Sequence, residues 1–144
     1  MRFSTLLPAL AGASLTTARI VGFYAPDYIH VHNPVTFCLE GVDYIQKVED
    51  VTMTFGIYDY LQEKYLGSVF DVVELGEGKS NIVGNISVSV SVPQIYEGDV
   101  TITAALLSLY GVSKVPVTTY FYANVTIGAF TSDVYVGSEY EGTD

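Results

Sequence analysis

Residues 86–92 read Ile86-Ser87-Val88-Ser89-Val90-Ser91-Val92, four branched apolar side chains separated by three serines. A period of two puts the apolar groups on one side of an extended chain and the hydroxyls on the other; on a helix the same order would scatter them around the axis. The stretch reads as a strand with one face in a core and the other in water. Val51, Met53, Phe55 and Ile57 repeat the pattern against Thr52, Thr54, Gly56 and Tyr58. So do Val117, Thr119, Phe121, Ala123, Val125 and Ile127 against Thr118, Tyr120, Tyr122, Asn124 and Thr126. Weaker strands are predicted over 20–24, 35–40, 67–75 and 100–110. The last is apolar on both faces, as a central strand covered on each side would be.

Turn residues separate these runs: Ala25-Pro26-Asp27, His32-Asn33-Pro34, Gly76-Glu77-Gly78, Pro93, Glu97-Gly98-Asp99, Gly111 and Pro116. About seven strands joined this way predict an all-β fold, a single immunoglobulin-like antiparallel β-sandwich. The Cys…Trp…Cys signature is missing, since the chain has one cysteine and no tryptophan. The expected relation to immunoglobulin domains is therefore one of architecture. The expected layout is a leader over 1–18, the sandwich over 19–130, and an acidic, partly disordered tail over 131–144, frayed from Gly137 onward.

The leader is read from Met1-Arg2, the largely apolar stretch 3–15, and Thr16-Thr17-Ala18 before Arg19. A charged start, an apolar middle and a small-residue exit form the layout of a secretory signal peptide. The apolar stretch is short of the ~20 residues needed to cross a bilayer. Cleavage is placed after Ala18, with Ala13 as the alternative, and the protein is expected outside the cell.

Taking 18 residues from 144 leaves 126, enough to bury a core without disulfide staples. Cys38 has no second cysteine to pair with and reads as a small buried side chain, with pairing to another chain as the alternative. Without Arg2, the basic residues Arg19, Lys47, Lys64, Lys79 and Lys114 face 16 acidic ones, a net charge of −11. Such a surface repels nucleic acid and anionic lipid and suits cationic patches on a protein partner.

No reactive constellation emerges. His30 and His32 are the only histidines and share a strand face, where Asp27 or Glu40 would have to complete a metal shell of three or four ligands. A solvated surface pair is the simpler reading. No G-x-S-x-G elbow presents a serine. Cys38 beside a histidine lacks the reach and the lowered pKa of a nucleophile pair. Gly78-Lys79-Ser80 looks like the end of a phosphate loop, but Val73 stands where that loop needs glycine and no helix follows, so it reads as a turn. Glu49/Asp50 and Glu97/Asp99 are placed in turns or at strand ends. No catalytic residue, metal or cofactor is expected.

Two features point outward. Asn85-Ile86-Ser87 and Asn124-Val125-Thr126 are N-glycosylation sequons whose asparagines fall on the polar phase of their strands. Tyr120 and Tyr122 lie on the polar phase too, and Tyr58, Tyr60 and Tyr65 cluster around one connection. Exposed tyrosine buries a large area at small entropic cost, which suits an interface, although tyrosine also decorates ordinary sheet faces.

Several short pieces carry a resemblance. They are Ala18-Arg19-Ile20-Val21-Gly22; Tyr44-Ile45-Gln46 followed by 51–56; and Lys79-Ser80-Asn81 leading to Asn85-Ile86 and Val92-Pro93. Ser108-Leu109-Tyr110-Gly111 and Asn124-Val125-Thr126-Ile127-Gly128 complete the set. Together they resemble the fungal family of necrosis-inducing secreted proteins, small effectors of plant-associated fungi. The resemblance implies a non-enzymatic effector that binds plant immune receptor-associated kinases, suppresses pattern-triggered immunity and provokes host cell death. It transfers no catalytic residue. The competing expectation is an extracellular binding or structural module acting on wall carbohydrate. The absence of tryptophan, the strongest stacking ring, counts against that reading.

Overall fold

The alternating runs become strands in the computed structural model, which describes residues 17–31, 33–58, 66–76, 78–93 and 97–143. In chain order these are β1 (Ala18–Pro26), β2 (Tyr28–Ile29), β3 (Val35–Asp43), β4 (Val48–Tyr58) and β5 (Ser68–Glu74), then β6 (Gly84–Val90), β7 (Gly98–Tyr110), β8 (Val115–Ile127), β9 (Tyr135–Gly137) and β10 (Glu139–Thr143). One sheet has the order β6-β3-β1-β9; the other runs β10-β8-β7-β4-β5, with β2 lying parallel against the end of β8. Remove the short strands β2, β9 and β10, and β1, β3 and β6 face β5, β4, β7 and β8. The β4–β5 and β7–β8 pairs are adjacent in one sheet, while the chain changes sheet between β3 and β4, between β5 and β6, and between β6 and β7. That is the Greek-key sandwich of immunoglobulin-like domains. All seven strands read from the sequence are present.

β6 shows how the alternation is used: Ile86, Val88 and Val90 are buried and the intervening residues exposed. The centre of the core is aromatic. Phe23 of β1 and Phe37 of β3 stack at 5.9 Å, and Phe55 of β4 meets both edge-on at 5.4 and 5.3 Å, clamping one sheet to the other. β7 is the central strand expected: Val100, Ile102, Ala104 and Leu106 are buried on one face, Thr101 and Thr103 on the other.

Several expectations are corrected. Val51 was placed on the core face, but a register shift between Asp50 and Thr52 leaves it half-buried. The same bulge reverses the phase upstream, so Asp50 turns inward and is fully buried within β4, not set in a turn. Cys38, read as a buried side chain, is half-buried on the outward phase of β3, near Tyr24 and Tyr135. The residues read as a frayed acidic tail form β9 on the edge of β1 and β10 on the edge of β8. Between them Ser138 holds the turnover, its N–H donating to the Phe23 carbonyl (2.7 Å) and its Oγ accepting from the Phe23 N–H (2.8 Å). The apolar phase of 135–143 is too short to register as a strand. At the other end the sandwich begins on the leader side of the expected cut: Ala18 is fully buried and donates its N–H to Asn81 Oδ1 (2.7 Å). Asn81 adopts φ 58°, a left-handed conformation that asparagine tolerates better than most residues. Residues 1–16, the body of the expected leader, lie outside the described residues.

Candidate functional site: the outer face of the larger sheet

Because Phe121, Ala123 and Val125 point into the core, Tyr120, Tyr122 and Asn124 stand on the opposite face of β8. Cross-strand register assembles that face in rows. Asn124 faces Thr101, which faces Tyr58; Tyr122 faces Thr103 and then Gly56; Tyr120 faces Ala105 and then Thr54. Val69 and Val72 of β5 carry the last two rows onward and are more than half exposed. The result is a row of small residues, buried at Gly56, Thr101 and Thr103 and half-buried at Thr54 and Ala105, bordered by three half-buried tyrosines and two exposed valines. The Tyr122 hydroxyl donates to Glu139 Oε1 of β10 at 3.3 Å, which fixes one border.

The connection between β4 and β5 returns onto this face at Leu66, whose carbonyl accepts a 2.8 Å hydrogen bond from Thr103 Oγ1. Gly56 makes the approach possible, since a Cβ there would lie 1.9 Å from the Leu66 carbonyl oxygen. Gly56→Ala is expected to push the connection off the sheet and lose about 1–3 kcal/mol, measured by urea unfolding. An unchanged midpoint would mean the connection has another seat. Tyr60 and Tyr65 belong to this connection and lie outside the described residues. The structure therefore brings Tyr58, Tyr120 and Tyr122 onto one face.

Both sequon asparagines are exposed on the outward phase, but on opposite sides of the sandwich. Asn85 sits on β6 of the smaller sheet, opposite Glu40. Asn124 sits on the tyrosine face, its Oδ1 accepting from Thr101 Oγ1 at 2.9 Å. Beside it lies a cavity of about 470 Å³ walled by Tyr28, Asp99, Thr101, Asn124 and Thr126 among others. Asp99 Oδ1 accepts from the Thr126 hydroxyl at 2.9 Å, and the Tyr28 ring stacks on the exposed Phe130 ring at 5.0 Å.

The remaining candidates take structural places. His30 follows β2, with its N–H donating to Thr131 Oγ1 (2.9 Å); His32 lies outside the described residues. Gly78-Lys79-Ser80 is part of a turn in which Lys79 N–H donates to the Gly76 carbonyl, and Ser80 Oγ accepts from the Asp50 N–H at 2.8 Å. Among the described residues no three His, Cys, Asp or Glu side chains converge to hold a metal ion.

Sequence reasoning missed a polar cluster behind the face. Asp50 Oδ1 accepts a 2.6 Å hydrogen bond from Ser108 Oγ, and the Ile20 N–H also donates to this carboxylate. Burial pushes its pKa up; the Ser108 and Ile20 hydrogen bonds and the nearby Arg19 charge pull the other way without cancelling it. Arg19 is held with its guanidinium 4.3 Å above the Tyr44 ring and Nη1 3.4 Å from the Tyr110 hydroxyl. Among the described residues, Arg19 Nε and Asp50 Oδ2 are buried with no hydrogen-bond partner.

A small immunoglobulin-like domain presenting a tyrosine-bordered sheet face is an architecture of binding modules. The chain belongs to the Nis1 family, whose sequence pattern matches residues 16–126. It is 34% identical to Necrosis-inducing secreted protein 1 of Colletotrichum higginsianum, over 96% of this chain and 99% of that one. It is 32% identical to the protein of the same name from Colletotrichum orbiculare, over 97% and 89% of the two chains. The protein is thus a secreted member of a fungal effector family.

Proposed function

We propose that the protein is an effector that binds a plant immune receptor-associated kinase, suppresses pattern-triggered immunity and induces host cell death. The observation that carries a binding role is the outer face of the larger sheet, where half-buried Tyr58, Tyr120 and Tyr122 border a strip that the β4–β5 connection covers at Gly56 and Thr103 and that stays partly open at Thr54 and Ala105. Rigid aromatic rims around small residues offer a partner large contact area at little entropic cost. The 16 acidic residues add attraction toward a basic patch on that partner. The kinase class rests on the family kinship, and the reading is non-catalytic.

Co-precipitation from plant cells with kinase-domain baits, run beside a polysaccharide pull-down, tests this reading. Capture by a kinase domain supports it; wall binding without kinase capture overturns it in favour of a carbohydrate module. In the same assay the Tyr120→Ala/Tyr122→Ala double variant is expected to lose about 2 kcal/mol of binding, about 30-fold, while its far-UV circular dichroism stays unchanged. Full capture by a folded double variant would remove the tyrosine face from the interface.

A further inference from the structure

Asn124 is the next outward residue after Tyr122 on β8, about 7 Å along the strand, and occupies the same row as Tyr58. We propose that Asn124 is N-glycosylated during export and that its oligosaccharide screens the tyrosine-bordered face, so that this face docks a protein only in chains whose Asn124 is bare. The proposal rests on the binding reading above for its consequence, but not for the glycan or the screening.

Three observations carry it. Asn124 is exposed, and the hydrogen bond that its Oδ1 accepts from Thr101 Oγ1 does not involve Nδ2, the atom that glycan transfer modifies. Glycan transfer joins Asn124 Nδ2 to the anomeric carbon of a lipid-pyrophosphate-linked oligosaccharide. The bond from that carbon to the pyrophosphate oxygen breaks, the lipid pyrophosphate leaves, and Nδ2 gives up one proton. Oδ1 is untouched, so the Thr101 hydrogen bond survives in the product. Next, the cavity of about 470 Å³ beside Asn124 is walled by polar groups and the Tyr28 ring, which gives the first sugar a seat against the protein. Finally, Asn124 shares its row with Tyr58 and is two residues from Tyr122 on the same face, so an oligosaccharide of many sugars rooted there reaches both tyrosines. Asn85 stands on the outward side of the other sheet, so a glycan there leaves the tyrosines uncovered.

The experiment uses chain secreted from a eukaryotic host with Asn85→Gln, leaving one sequon. It is compared with the same material trimmed by an endoglycosidase to a single sugar, and with an Asn124→Gln version. Intact mass is expected to show one oligosaccharide. Tyrosine nitration mapped by mass spectrometry is expected to be severalfold slower at Tyr58 and Tyr122 before trimming than after. Kinase-domain capture is expected to rise about tenfold or more on trimming. A bare Asn124 in the secreted chain, equal nitration before and after trimming, or equal capture by both forms overturns the proposal. Slowed nitration with no capture by any form leaves the screening in place and defeats the binding reading instead.

Discussion

Phe55→Ala is expected to lower the unfolding free energy by about 3–5 kcal/mol, the range for an aromatic ring removed from a close-packed core. Phe55 is fully buried and is the one ring of β4 that reaches Phe23 and Phe37 of the opposite sheet, while Phe70 of β5 stacks on it at 6.3 Å. Truncation therefore opens a cavity at the seam between the sheets, where collapse would require both sheets to move. For a single domain with ~5–15 kcal/mol in total, that is a large share, yet the chain should still fold. With a urea slope of about 2 kcal/mol/M, the midpoint should fall by roughly 2 M. The 12 tyrosines and lack of tryptophan make tyrosine fluorescence the natural probe, with far-UV circular dichroism as the second. Phe55→Leu, which keeps most of the volume, should cost clearly less. A loss for Phe55→Ala below about 1.5 kcal/mol would show that the seam closes over the gap and that the three-ring contact is not what joins the sheets.

How far the sequence carries this fold can be argued from single strands. Ile86 to Val92 and Phe121 to Ile127 announce themselves because each has one face in the core and one outside it, and the alternation survives there, whereas Val117 and Thr119 are only half-buried. The tyrosine face was legible for the same reason: Tyr120, Tyr122 and Asn124 share a phase on β8, and phase is fixed locally. Their junction with Tyr58 is a matter of register between β4, β7 and β8, set by tertiary pairing that leaves no local mark. Asp50 was lost to the bulge. A period of two carried back from Phe55 puts Val51 inside and Asp50 outside, and one extra residue reverses both. The short strands β9 and β10 escaped because their stability comes from the edges of β1 and β8 that they cover, not from their own composition. Cys38 shows the limit of composition: small and apolar suggests the core, but its strand phase places it on the outer face beside Tyr135.

The Asp50 cluster sets up the second large effect. Asp50→Ala is expected to cost about 3 kcal/mol, because it strands the Ser108 hydroxyl, the Ile20 N–H and the Arg19 charge without their acceptor. Asp50→Asn keeps the shape and one acceptor oxygen but never ionises, and so isolates the charge. Burial holds the Asp50 pKa above its ordinary value, so the folded chain binds this proton more tightly than the unfolded one does. The contribution of this group is fully present below the ordinary value. It is lost as pH rises through the window up to the raised value, and is flat above it. Wild-type stability should therefore fall relative to Asp50→Asn across that window. Subtracting the two titrations cancels the exposed carboxylates they share. Urea midpoints collected from about pH 3 to about pH 8 for both proteins give the comparison directly. A difference that stays flat would mean Asp50 titrates alike in both states. A difference of opposite slope would mean that Arg19 and the two hydrogen bonds outweigh the desolvation, making the buried carboxylate a stabilising ion instead of a cost carried within the fold.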